Sequence, residues 1–107
     1  MSGIVGLLGL GLRAGHVLIG VEAVRRSLQA GECRCIVVAS DASQRALEKT
    51  ARLATAKGIP QIGGPASQAL GAGLGKPPVM VVGVRDPALA DGIIRLAGAS
   101  EKGSMEA

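Results

Sequence analysis

Apolar residues along this chain form two alternating patterns. Spacings of three and four residues, which place one side of a helix against a core, alternate with short continuous apolar runs typical of strands covered on both faces. The sequence predicts helices over residues 4–12, 21–30, 67–73 and 87–97 and strands over 17–19, 35–39, 59–62 and 79–84. A further helix between the second and third strands is expected to be capped by Ser40, Asp41 and Ser43, to bury Ala46, Leu47, Thr50, Leu53 and Ala54, and to end at Gly58. This order predicts the α/β class, as a three-layer αβα sandwich with a mixed sheet of about four strands.

The length of 107 residues predicts one domain around one core, over residues 1–97. No helical or strand period continues from Gly98, so residues 98–107 are predicted to form a flexible tail. A hydrophobic fraction of 48% with 19% charged residues excludes intrinsic disorder for the rest. The Asp86-Pro87 pair is expected to begin the last helix, because Asp is a good cap and Pro suits the first turn.

The chain contains no Phe, Tyr or Trp, so aliphatic side chains must fill its core. Domains that read single-stranded RNA or DNA usually stack bases on aromatic rings, and this class of binding is therefore disfavoured. A net charge of +4 nevertheless favours a polyanionic partner. Recognition of a nucleic acid by its shape and its phosphates remains open.

Cys33 and Cys35 are one residue apart, which on a strand sends their side chains to opposite faces. Two cysteines cannot supply a four-ligand zinc site, so free thiols in a reducing cytoplasm are expected. The apolar N-terminus lacks a basic region and is interrupted by Arg13 and His16, which argues against a signal peptide and a membrane span. The sequence predicts a cytoplasmic protein with no membrane partner and no bound metal.

Two glycine-rich segments only partly match nucleotide-binding loops. Gly9-Leu10-Gly11 follows no strand and lacks the third glycine of a dinucleotide loop. The segment 71–76 lacks the first glycine of a phosphate loop, and Pro77 stands where Ser or Thr would hold magnesium. The single histidine, His16, lies in no local catalytic signature. No enzyme and no cofactor are predicted.

The strongest candidate site is the helix start at Gly20, directly after a strand. Free N–H groups in a first helical turn attract phosphate, the glycine permits its approach, and Arg25 and Arg26 add positive charge one turn further on. Glu22 could accept hydrogen bonds from the imino and amino groups of guanine. The alternative interpretation is a solvated amphipathic helix without a ligand.

Two further features are expected to contribute to this site. Gly75-Lys76-Pro77-Pro78 forms a stiff loop with one positive charge and two apolar rings that could cover an unstacked base. His16 is expected to lie beside the Gly20 loop, where its protonated ring could meet a phosphate.

Four segments in this order resemble the kink-turn-binding ribosomal protein family called L-seven-Ae after its archaeal member, and especially its small bacterial branch. The resemblance covers residues 3–97 and is carried by Leu7-Leu8-Gly9-Leu10 with Arg13-Ala14-Gly15, by Gly20–Arg26, by Ile36–Ser43, and by Gly75–Pro78 with the strand that follows. It implies an αβα sandwich that binds a sharply bent RNA duplex with tandem sheared G·A pairs. It assigns the contacts with those guanines to Gly20, Val21, Glu22, Ala23 and Arg26, and the cover over a flipped-out nucleotide to Lys76, Pro77 and Pro78.

The sequence departs from the archaeal pattern at Glu22-Ala23, where that pattern has Asn followed by Glu. An Ala side chain accepts no hydrogen bond, and a carboxylate differs from an amide in charge and in donors, so affinity or sequence preference for a kink-turn is expected to change. The partners predicted are structured RNA, either a kink-turn or ribosomal RNA, and ribosomal proteins, but not DNA. A protein-interaction module with weakened RNA readout is the alternative. A nucleotide-using enzyme is disfavoured, because neither a paired general acid and base nor a complete phosphate loop is present.

Overall fold

The computed structural model describes the backbone of residues 3–106 and the side chains of residues 3–98. Helices and strands alternate along this part of the chain. In order they are α1 (Gly3–Arg13), β1 (Val17–Ile19), α2 (Val21–Ala30), β2 (Cys35–Val38), α3 (Gln44–Ala46), a π-helical segment (Leu47–Ala51), α4 (Arg52–Ala56), β3 (Gln61–Gly63), α5 (Ser67–Gly73), β4 (Val81–Val84) and α6 (Pro87–Glu106). The predicted α/β class is confirmed.

The four strands form one mixed sheet in the order β1-β4-β2-β3. Strand β4 pairs antiparallel with both β1 and β2, whereas β2 and β3 run parallel. The two central strands are the two continuous apolar runs, and every residue of β4 is buried. A strand with neighbours on both edges and helices on both faces must be apolar throughout, which explains the sequence pattern.

Helices cover both faces of this sheet, so the predicted three-layer sandwich is confirmed. Leu8 of α1, Leu70 of α5 and Ile93 of α6 pack on one face with Val82 and Val84. The opposite core joins α2 and α4 to Ile36 and Val81, and it includes Cys33, while Cys35 belongs to the first core. The two buried cysteines therefore lie on opposite sides of the sheet, as predicted.

Two strands begin later than predicted, because backbone hydrogen bonds to neighbouring helices hold the residues that precede them. The N–H of Ile59 donates to the Ala54 carbonyl at 2.8 Å and so closes α4, and β3 begins only at Gln61. The N–H of Val79 donates to the Ser67 carbonyl at 3.0 Å, which holds that residue against α5 before β4 begins. The predicted start points at Ile59 and Val79 are wrong by two residues each, and Ala39 lies just outside β2.

The predicted helix after β2 contains a π-helical segment that its sequence did not reveal. Thr50 is fully buried, and its hydroxyl donates to the Ala46 carbonyl at 2.7 Å, where it competes with the backbone for that acceptor. Leu47 was expected in the buried stripe, but its exposed fraction is 37%. A π turn holds more residues than an α turn and rotates the side chains within and after it, so the assignment based on a continuous helix is wrong for Leu47.

The expected helix caps are partly confirmed. Ser43 Oγ accepts the Ala46 N–H at 3.1 Å, and Asp86 Oδ2 accepts the Leu89 N–H at 2.8 Å. Asp41, however, is not a cap of its own helix. Its carboxylate accepts the N–H of Ser67 at 2.7 Å and the Ser67 hydroxyl at 3.0 Å, and so fixes the first turn of α5.

The last helix, α6, extends to Glu106, whereas the sequence pattern predicted an end to regular structure at Gly98. The flexibility of residues 98–107 stays a prediction. Within the described part of the chain, no helix has both the length and the apolar character needed to cross a membrane.

Candidate nucleic-acid interface

The sheet topology brings the two predicted binding segments to one end of the sheet. The Gly20 N–H donates to the Val81 carbonyl at 3.0 Å, and the Ala39 N–H donates to the Met80 carbonyl at 2.8 Å. Since β4 runs antiparallel to β1 and β2, its first residue lies beside the last residues of both. The loop 75–78, which leads into β4, therefore lies at the same end as the start of α2. We call this the Gly20 end.

The start of α2 depends on a backbone conformation that glycine allows. Gly20 has φ +100° and ψ 158°, a region that other residues rarely adopt. The first intrahelical bond runs from the Val24 N–H to the Gly20 carbonyl at 3.1 Å, and no side chain caps the helix. The N–H groups of Val21, Glu22 and Ala23 precede that bond and can bind an anion.

Glu22 lies in a group of cations at this helix start. Its Oε2 atom accepts a hydrogen bond from Lys49 Nζ at 2.9 Å. That hydrogen bond and the charge of Lys49 lower the pKa of Glu22, and Arg45 and Arg25 lower it further. Lys49 is thus in direct contact with the carboxylate, and the charges of two arginines add to its effect, so the local charge balance is positive.

Neither Lys49 nor Arg45 was predicted from the sequence to belong to this group. Lys49 is 27 residues from Glu22 in the sequence, so only the packing of the π-helical segment against α2 brings the two together. The spacing of four between Arg45 and Lys49, which places two side chains on one side of a helix, is a sequence signal for a basic face there.

The two arginines of α2 have different roles. Arg25 Nη1 donates to the Lys49 carbonyl at 3.0 Å, so Arg25 joins α2 to the π-helical segment and is partly buried. Arg26 is exposed and forms neither a hydrogen bond nor an ion pair with any described residue. Of the pair predicted to bind phosphate, Arg26 is therefore the one that is available to a ligand.

The loop 75–78 is held against the end of α5. The Lys76 N–H donates to the Gly71 carbonyl at 2.8 Å, and Gly75 turns the chain with φ +69°. A side chain at Gly71 would collide with the backbone carbonyl oxygen of Pro77, so glycine permits this close approach. Lys76, Pro77 and Pro78 are exposed on this backbone.

His16 lies at the other end of β1 from Gly20. Four residue steps of about 3.3 Å separate the two by about 13 Å. The Arg85 N–H donates to the His16 carbonyl at 2.8 Å, and His16 lines a shallow depression of about 360 Å³ with Arg34 and Arg85. The expectation that His16 lies beside the Gly20 loop is wrong, because β1 is extended between them.

The cysteines and the acidic side chains form no metal site in the described part of the chain. Burial raises the pKa of the Cys35 thiol to about 12 and also raises that of Cys33. Among the described residues, no group of three or more His, Cys, Asp or Glu side chains is placed to hold a metal ion.

Comparison with known proteins places this fold in a family. In its overall fold the chain is similar to a protein of unknown function from Bacillus halodurans, with a TM-score of 0.84 and 28% identity over 92% of this chain and 99% of that one. It is also similar in fold to a 15.5 kD RNA binding protein from Giardia lamblia, with a TM-score of 0.75 and 18% identity over 92% of this chain and 85% of that one. No curated protein matches the sequence. The sequence model of the ribosomal protein L7Ae/L30e/S12e/Gadd45 family matches residues 4–93, and the chain therefore belongs to this family.

Proposed function

We propose that this protein binds structured RNA at the Gly20 end and acts by binding rather than by catalysis. The observation that carries the proposal is the start of α2, where three uncapped N–H groups lie within a group of positive side chains. Membership of a ribosomal protein family supports RNA as the polyanion, and so does the name of the Giardia protein with the same fold.

Phosphate contacts would supply most of the affinity. The N–H groups of Val21, Glu22 and Ala23 can hold one phosphate, while Arg26 on α2 and Lys76 on the loop can reach the backbone on either side. These contacts carry no sequence information and set only the position of the RNA. Because both segments are anchored to β4, we propose that the surface selects an RNA by its shape.

The base contacts proposed are few. Glu22 can accept hydrogen bonds from the imino and amino groups of a guanine in a non-canonical pair, whereas the side chain of Ala23 has no acceptor. The exposed rings of Pro77 and Pro78 can cover an unstacked nucleotide. The ligand that fits these groups best is a bent, kink-turn-like duplex with G·A pairs, and such an element in ribosomal RNA is the proposed source. Gly75 and His16 are not assigned a contact with RNA in this proposal.

Binding of a kink-turn RNA and a straight duplex of equal length, each followed by fluorescence anisotropy at physiological salt, tests the proposal. We expect tighter binding of the bent RNA and a fall in affinity with salt concentration. Arg26→Ala should weaken binding to all RNA sequences, whereas Lys57→Ala should not, because Lys57 follows α4 towards the opposite end of the sheet. Equal affinity for both RNAs would contradict shape recognition.

A protein-interaction module on the same fold is the second candidate. It is favoured by the Glu22–Lys49 pair, which already occupies one carboxylate oxygen that RNA could use. Affinity capture from a nuclease-treated lysate separates the two. Ribosomal proteins or other partners retained without RNA would favour the interaction module, and loss of all partners with the RNA would support RNA binding.

A further inference from the structure

Lys49 is bonded to α2 twice, by its side chain and by its backbone carbonyl. Lys49 Nζ donates to Glu22 Oε2 at 2.9 Å, and the backbone carbonyl of Lys49 accepts from Arg25 Nη1 at 3.0 Å. The Lys49 side chain is 31% exposed and that of Glu22 is 68% exposed. The backbone of Lys49 is therefore bonded to α2 through Arg25, while its ammonium group binds Glu22.

Lys49 lies in the distorted part of its helix. The residue lies in the middle of the π-helical segment, beside the fully buried Thr50. Each residue of an α-helix is rotated by about 100° from the one before, so a wider turn changes which side chain faces α2. A π turn of this kind is uncommon and is frequently found at functional sites.

The pair changes what Glu22 offers to a ligand. A free carboxylate in the first turn of α2 would be attracted to the N–H groups that phosphate needs, and it would repel the phosphate. Lys49 offsets that charge and holds Oε2, while Oε1 accepts no hydrogen bond from any described residue. A carboxylate only accepts, and guanine presents imino and amino donors where a phosphate presents none.

We propose that Lys49 is a positioning residue for base specificity: it holds Glu22 with one free oxygen that selects guanine. This inference rests on the RNA-binding function proposed above. Lys49 acts through Glu22 and not by base contact of its own. Removal of Lys49 should therefore reduce the preference for guanine only when Glu22 is present.

Replacement of the guanines of the G·A pairs by inosine removes the 2-amino donor. Because that amino group also bonds to adenine within a sheared pair, the preference is the guanine-to-inosine ratio of affinities divided by the ratio that Glu22→Ala shows. A hydrogen bond to a charged acceptor is expected to give the guanine RNA roughly a tenfold tighter Kd. In Lys49→Met the ratio should fall below about threefold, and Lys49→Arg should restore most of it. In Glu22→Gln the ratio should also fall, and adding Lys49→Met to that variant should change it no further.

Lys57→Met is the matched control, because it removes the same charge from an exposed lysine away from the Gly20 end. If Lys49→Met unfolds, Lys49→Gln replaces it. A wild type that binds neither RNA would overturn the proposed function itself. A wild type that prefers guanine, together with a Lys49→Met variant that keeps the full preference, would overturn the role of Lys49 alone.

Discussion

Replacement of Gly20 by alanine tests the backbone conformation that begins α2. Gly20 has φ +100° and ψ 158°, and no atom outside its chain neighbours lies within 4 Å of the place where a Cβ would stand. The change therefore adds no collision, and its cost is the backbone strain alone, about 1–3 kcal/mol in this glycine-only region. For a domain of this size, about 2 kcal/mol corresponds to a fall in Tm of about 10 °C.

Thermal and urea unfolding followed by circular dichroism measure this loss. Gly6→Ala is the matched control, because Gly6 is exposed in α1 and a Cβ there also meets no atom within 4 Å. Alanine in an ordinary helical conformation should stabilise the protein by up to about 1 kcal/mol. Opposite signs for the two variants are expected. A Gly20→Ala protein as stable as the wild type would refute the argument.

The same variant connects the conformation to binding. A strained residue 20 should displace the N–H groups of the first turn of α2, so RNA affinity should fall in Gly20→Ala and remain unchanged in Gly6→Ala. A folded Gly20→Ala protein with full RNA affinity would show that the helix start does not contact the ligand.

Three further predictions concern single side chains. Gly71→Ala should lower the urea midpoint and weaken RNA binding, because its Cβ collides with the Pro77 carbonyl oxygen and the loop must move; an unchanged midpoint would contradict that packing. Asp41→Ala should lower Tm, since Asp41 accepts two hydrogen bonds from Ser67. These bonds also lower the pKa of Asp41. Their stabilisation is therefore present above the unfolded pKa of about 3.9 and is lost as pH falls through the pKa of the folded protein. The Tm values of the wild type and Asp41→Ala, measured against pH, should converge in acid. Burial raises the pKa of Cys35 from 9.0 to about 12. The free energy of unfolding in urea should therefore be unaffected by this thiol below pH 9 and decline as pH rises towards 12, and Cys35→Ala should remove that part of the decline.

The sequence predicted the main elements because their causes are local. The central strands could be recognised as continuous apolar runs, since a strand covered on both faces has no polar side. The start of α2 could also be located, because a glycine between an apolar strand and an amphipathic helix, such as Gly20, indicates a turn. The strand ends were less accurate, because Ile59 and Val79 are held by bonds to α4 and α5 that the local pattern does not contain.

The candidate site was only partly predictable. Its two segments, the start of α2 and the loop 75–78, were identified separately, and the antiparallel pairing of β4 with β1 and β2 brings them to one end of the sheet. His16 was placed there by its nearness in sequence, but an extended strand carries residues apart by about 3.3 Å at each step. Nearness in sequence is a poor guide to nearness in space across a strand.

The fold class, the aliphatic core, the positive charge and the glycine before α2 could all be predicted from the sequence, because each depends on composition or on the conformation of a few adjacent residues. Which charges meet depends instead on how the helices pack. Lys49 reaches Glu22 across 27 residues, Arg25 is engaged by the Lys49 carbonyl while Arg26 is free of described partners, and Asp41 fixes a helix other than its own. These contacts depend on how helices pack and on the π turn within one of them. A hydrogen bond has a range of about 3 Å, and the periodicity of one segment does not reveal its distance to another.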